Sequence, residues 1–306
     1  MNSSGPREAK DRAIPKPWRG RKKMSERTKV TLPQLLEMKK RGQKITMITA
    51  YDYPTGVWAD RAGIDVVLVG DSMAMTVLGY STTLPATMAE LIAHSQAVNR
   101  GCKNSFVLGD MPYMSYQPSI EIAVQNAGRF MSEGGCDGIK LEGGITMADR
   151  VEAIVKAGIP VMGHLGLTPQ SMSMLGGFKV QGKDALMAKR IIDDAKVLEE
   201  AGAFAILLEC VPSKVSELVT ERAEIPIISI GAGPDCDGQL LIFHDMFGLY
   251  PAFTPKFAKQ YADVGETIVQ GLKRYAEEVR EGLFPEPKHG FTITDQQYEE
   301  LLKMLE

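Results

Sequence analysis

The run Gly138-Ile139-Lys140-Leu141-Glu142-Gly143-Gly144 decides how the chain reads. It opens as a short β-prone stretch, 138–141, and closes on an acid followed by two glycines. Outward from it the same phrase recurs. Residues 45–51, 65–70, 105–108, 160–163, 205–208 and 225–230 form further short apolar runs, and 239–243 is a weaker eighth. Strands that are apolar without alternation belong to a sheet covered on both faces. Between them, 89–100, 118–133, 146–156 and 184–201 read as helices. Gly101, Gly134, Gly158 and Gly202 come next as expected left-handed stops.

Eight strand–helix units predict a (β/α)8 TIM barrel in the α/β class, with a doubly wound open sheet as the rival. The open sheet would place a G-x-G-x-x-G after the first strand for a dinucleotide, and none stands there. Residues 1–29 read as a basic, flexible extension without apolar periodicity, and 30–306 as a single barrel domain with C-terminal helices. In the predicted helix 262–281, Ile268, Leu272, Tyr275 and Val279 share one face. A last helix starts after Thr294, which has capping-box spacing to Gln297, and Tyr298, Leu301, Leu302 and Leu305 form its apolar stripe. Such stripes serve a core or a subunit contact.

Composition narrows the function. A net charge of −3 over 306 residues argues against nucleic acid as a partner. No apolar run spans a bilayer and no signal-peptide pattern opens the chain, so no membrane association is expected. Cys102, Cys136, Cys210 and Cys236 are scattered without a C-x-x-C pair, which suits reduced thiols and a cytoplasmic location.

The chemistry lies at the residues closing each strand: Gly70-Asp71-Ser72, Gly109-Asp110, Lys140-Leu141-Glu142, Gly163-His164, Leu208-Glu209 and Gly231-Ala232-Gly233. In a barrel these positions share the C-terminal rim, where barrel enzymes carry their active sites. Asp71, Asp110 and Glu142 would converge there, and three ionised acids that close require a cation. Hard oxygen donors point to Mg²⁺ rather than zinc. Each residue also has a bland reading: a helix N-cap for either Asp, a buried ion pair for Lys140, a satisfied strand-end side chain for Glu209 or His164. Lys140 and Glu142, two apart on a strand, point the same way. Glu209 in apolar surroundings has the raised pKa of a general base. Gly231-Ala232-Gly233 reads equally as an anion cradle or a tight turn. Loops 73–83 and 171–183 are long enough for lids.

The strings ITAYDY (48–53), VGDS (69–72), KLEGG (140–144), GHLGLTPQS (163–171), KVQG (179–182), LECVP (208–212), IGAG (230–233) and HDMFG (244–248) resemble the ketopantoate hydroxymethyltransferases, in order along the chain. The resemblance implies a barrel of the phosphoenolpyruvate/pyruvate type. It implies transfer of a hydroxymethyl group from 5,10-methylenetetrahydrofolate to 3-methyl-2-oxobutanoate through a Mg-stabilised enolate, giving 2-dehydropantoate for pantothenate and coenzyme A synthesis. By residue, it implies Asp71, Asp110 and Glu142 at the Mg²⁺, and Asp71, Ser72, Asp110, Lys140 and His164 at the oxo acid. Glu209 falls on the proton-acceptor position. It also implies a homo-oligomer, a decamer, with smaller assemblies as the alternative. A Mg²⁺-dependent lyase or mutase and a non-catalytic 2-oxo acid binder are the competing readings.

Overall fold

The computed structural model describes residues 27–175, 177 and 179–306. Eight strands pair in sequence order and close into a barrel. They are β1 Ile45–Thr49, β2 Val66–Val69, β3 Phe106–Asp110, β4 Gly138–Glu142, β5 Val161–Gly166, β6 Ala205–Glu209, β7 Ile227–Ile230 and β8 Gly238–Leu241. Every pairing is parallel, and β8 returns to β1 with Met47 opposite Leu240. The open sheet is excluded by that last pairing.

The two-residue period of a strand splits the apolar residues into two cores. Met47, Leu68, Leu108, Met162, Leu207, Ile228 and Leu240 fill the barrel interior. Leu35 and Met38, from the helix Leu32–Lys40, join that cluster beside Phe106 and Phe204 at the N-terminal ends of the strands. The alternate residues, among them Ile48, Val67, Val107, Leu141, Val161 and Leu208, pack outward in a second cluster that includes the helices. Continuing the interior parity by two residues turns Leu108 into Asp110, Met162 into His164 and Leu207 into Glu209. The polar site is thus the top interior layer of an otherwise apolar barrel.

The four predicted helices are present as Met88–Gly101, Ile120–Ser132, Ala148–Lys156 and Ala185–Glu200. Their glycines divide into two kinds. Gly158 and Gly202 are left-handed, at φ 85 and 95°, as expected. Gly101 is instead the last helical residue, and a Cβ there would lie 2.7 Å from the Tyr53 carbonyl. It is small because the helices Tyr53–Ala62 and Met88–Gly101 press together. A Cβ on Gly134 would likewise lie 2.7 Å from the Phe130 carbonyl, so that glycine too answers to space.

The helices Val264–Arg280 and Asp295–Leu305 bury no residue. Ile268, Leu272, Tyr275 and Val279 are all exposed on one face, Leu272 to 61%. Half of the expected capping box forms: Thr294 accepts the Gln297 N–H at 3.4 Å, while the Gln297 amide turns to Glu300 at 2.9 Å. Residues 1–26 of the expected extension lie outside the described residues. Arg27 and Lys29, at its end, pair with Asp65 and Asp137. All four cysteines are free, and no helix among the described residues is long and apolar enough to cross a membrane.

Candidate active site

A cavity of about 600 Å³ opens at the C-terminal ends of the strands and is lined by Asp71, Ser72, Asp110, Lys140, Glu142, His164 and Glu209. Register explains the gathering. Asp110 pairs with Lys140, Glu142 with His164, and Gly166 with Glu209, so successive strands hand one polar layer around the rim. All seven expected residues therefore share one wall.

Lys140 is the hub. Its ammonium lies 2.7 Å from Asp110 Oδ1, 4.0 Å from Glu142 Oε1 and 3.3 Å from His164 Nδ1. Burial pulls Lys140 down, but Asp110, Glu142 and Asp71 together outweigh it and hold the ammonium above its ordinary value. An ammonium only donates, so Nδ1 of His164 must accept and the imidazole proton sits on Nε2. Nε2 faces Glu209 Oε2 at 3.2 Å. Burial, then the charge of Lys140, lowers the His164 pKa, so the ring is neutral.

The carboxylates outnumber the cation. Burial raises Asp71, with the charge of Glu142 adding to it. Burial also raises Asp110, against the pull of Lys140, and lifts Glu142 to about 7. Glu209 is raised by burial, with His164 drawing it back, and 15% of its side chain remains exposed. Asp110 Oδ1, Glu142 Oε1 and His164 Nε2 are buried without an aligned hydrogen bond. At Glu142 Oε1 the reason is plain: the nitrogen 3.3 Å away is the accepting Nδ1.

Asp71, Asp110 and Glu142 all reach the same cavity. Among the described residues no three His, Cys, Asp or Glu side chains form a group that would hold a metal ion. Lys140 pairs with Asp110, and Gln170 bridges the other two: its side-chain amide donates to Asp71 Oδ2 and its backbone N–H to Glu142 Oε2, both at 3.0 Å. Nor is either Asp a helix cap: Ser72 stands at the N-cap of the helix Met73–Thr76, and Asp110 Oδ2 accepts the backbone N–H of Asp71 at 3.0 Å.

Gln170 escaped sequence reasoning although it lies within GHLGLTPQS, because an amide carries no titratable signal. It also donates to the Met111 carbonyl at 3.0 Å and accepts from Tyr116 Oη at 2.8 Å. Tyr116 is itself buried, and its hydroxyl oxygen accepts the Glu142 N–H at 3.1 Å. Tyr51 Oη stands 2.8 Å from Ser72 Oγ. Backbone geometry sets Glu209: a Cβ at Gly166, where φ is 90°, would lie 2.3 Å from the Glu209 carbonyl, which accepts the Leu167 N–H at 2.8 Å.

Of the two expected lids, Met75, Thr76 and Thr83 from the first and Val180 from the second line the cavity. A third segment, unread in the sequence, adds Tyr250, Phe253, Lys256 and Phe257. In the glycine loop after β7, Cβ atoms at Gly231 and Gly233 would meet the Phe257 ring at 2.6 Å and Ser213 at 2.4 Å, so close packing holds both positions to glycine.

Residues 29–287 match the family model described as ketopantoate hydroxymethyltransferase. The chain belongs to that family. It is therefore a hydroxymethyltransferase, an enzyme whose product is ketopantoate. The 3-methyl-2-oxobutanoate hydroxymethyltransferase of Moorella thermoacetica is 55% identical over 268 residues, covering 88% of this chain and all of the relative. That of Syntrophobacter fumaroxidans is 54% identical over 269 residues, 88% of this chain and 95% of the relative. Among solved structures, phosphonopyruvate hydrolase with oxalate and Mg²⁺ aligns with a TM-score of 0.56 at 12% identity, covering 90% of this chain and 98% of that one. A 2,3-dimethylmalate lyase of the PEP mutase/isocitrate lyase superfamily aligns at 0.54 and 15% identity, over 89% and 92%. At such identities this chain shares their barrel, and the likeness extends to fold alone.

Proposed function

We propose that the enzyme moves a hydroxymethyl group from 5,10-methylenetetrahydrofolate to C3 of 3-methyl-2-oxobutanoate, giving 2-dehydropantoate, with Glu209 as base and a Mg²⁺ ion near Asp71, Asp110 and Glu142. The observation that carries this is the imbalance of buried charge. In the polar cluster four carboxylates, Asp71, Asp110, Glu142 and Glu209, face the ammonium of Lys140, and Glu142 Oε1 is buried without an aligned hydrogen bond. Uncompensated buried carboxylates are costly, and a hard divalent cation suits an all-oxygen set. Mg²⁺ is often held by one or two carboxylates with water and substrate oxygens completing its shell, so a closed three-acid cage is not required.

A bound Mg²⁺ supplies Lewis acidity toward the 2-oxo group, which acidifies C3. The remaining steps belong to the protein. Lys140 sets positive charge against the substrate carboxylate, with Ser72 and His164 Nε2–H as neutral donors beside it. Glu209 takes the C3 proton, and the resulting enolate carbon bonds to the one-carbon unit of the folate. One water supplies the hydroxyl and tetrahydrofolate leaves. Neutral His164 leaves the negative charge on Glu209, where a base needs it. Deuterium exchange at C3 tests the reading: it should proceed with Mg²⁺ and no folate, stop on chelation, and yield product only when the folate is added. Product formed from the oxo acid without any one-carbon donor would instead mark a lyase or mutase.

The exposed face of Val264–Arg280 supports a further part of the proposal, that the enzyme is a homo-oligomer, a decamer by its family. A contiguous Ile268–Leu272–Tyr275–Val279 stripe on water is the kind of face subunits cover. Leu272→Asp should lower the mass seen by sedimentation; an unchanged assembly would move the contact elsewhere.

A further inference from the structure

One carboxylate of the cavity has no part in the chemistry above. Asp245, on the short helix Phe243–Met246, is 7% exposed and lines the cavity wall. Burial raises its carboxyl to about 6, and no hydrogen bond or ion pair among the described residues acts against that burial. Buried Asp60 is the contrast, since it accepts the backbone N–H groups of Asn104 and Ser105 at 2.7 and 2.8 Å. Thr83 Oγ1, which also lines the cavity, is buried without a hydrogen-bond partner. Ile242, Tyr250, Phe253 and Phe257 line the same cavity. Asp245 is near enough to Tyr51 for its charge to oppose ionisation of that phenol, and Tyr51 reaches Ser72 beside Asp71. The lone carboxylate therefore shares the chamber with the acid–lysine cluster.

An unpartnered carboxylate in an apolar wall is stabilised by a ligand that brings N–H donors. The oxo acid brings none, and its own negative charge would be repelled. The folate does bring them. Its 2-amino-4-oxopyrimidine edge presents a ring N–H beside an amino N–H, the spacing that two carboxylate oxygens accept in parallel. We propose that Asp245 binds the one-carbon donor by accepting this N–H pair, with the aromatic residues of the wall against the fused ring. The assignment rests on the folate reading above and names the residue that selects the donor.

Steady-state kinetics of Asp245→Asn test it. An Asn amide puts a donor where an acceptor is needed, so the KM for 5,10-methylenetetrahydrofolate should rise roughly tenfold to a hundredfold. The KM for the oxo acid and the folate-independent C3 exchange should stay within about twofold, which also reports an intact fold. A tetrahydrofolate analogue with hydrogen in place of the 2-amino group should inhibit the wild type at least about tenfold more weakly than tetrahydrofolate. The same pair should inhibit Asp245→Asn equally. An unchanged folate KM, exchange lost in parallel with turnover, or equal inhibition of the wild type by both compounds overturns the assignment. If the wild type makes no product from methylenetetrahydrofolate, the donor reading fails first and takes the assignment with it.

Discussion

Glu209→Gln should leave oxo acid binding within a few-fold of wild type and slow C3 exchange by about 10²–10⁴, the span of a positioned general base. The substitution keeps size and hydrogen bonding while removing the proton acceptor. Glu209 ends β6 on the interior face, and its carbonyl is tied to Leu167 across the close approach that Gly166 permits. The backbone that carries the side chain is thus fixed against the end of β5. Burial raises its pKa above the ordinary carboxyl value, and His164 moderates the rise. Only the ionised form accepts a proton, so wild-type exchange should climb with pH through that raised pKa and then level. The Gln variant should lack this limb. Exchange that survives within about threefold, with its pH profile intact, would remove Glu209 from the role. Mass spectrometry or proton NMR of the recovered oxo acid reads both quantities.

Much of this architecture was legible because the barrel repeats one phrase. Apolar runs ended by Asp71, Asp110, Glu142, His164 and Glu209 announce strand ends, and the closed parallel sheet then brings those ends together. Two kinds of feature left no mark. Gln170 and Tyr116 act through neutral hydrogen bonds between loops far apart in sequence, a relation that periodicity does not encode. The helices Leu32–Lys40 and Tyr53–Ala62 were missed for another reason. Tyr53-Pro54 comes closely after β1, and the helix starts there because Asp52 caps it, accepting the Thr55 N–H at 2.8 Å. The expectation of three meeting acids named Lys140 among them but not Gln170, whose amide and backbone N–H bridge Asp71 and Glu142.

Lys140→Met should cost about 3–5 kcal/mol of folding stability near pH 8, because the carboxylates it balances stay behind in a buried layer. Met fills nearly the same space, so packing contributes little to that figure. The pH dependence separates charge from shape. Asp110 and Glu142 already lie above their ordinary values by burial, with Lys140 pulling both down. Without the ammonium both rise further, and the native state binds more protons than the unfolded chain over a wider range. Stability falls with rising pH wherever the native state holds the extra protons. For Glu142 in the wild type that window runs from its unfolded value of 4.5 to about 7. The variant's window extends beyond it. The deficit relative to wild type should therefore be smaller at pH 5, where Glu142 is largely protonated in both proteins, than at pH 8. Urea unfolding at the two pH values measures it. An equal cost at both would mean that Lys140 acts by filling space. A cost that grows with pH would mean that its ammonium is what allows the acidic layer to lie inside the barrel.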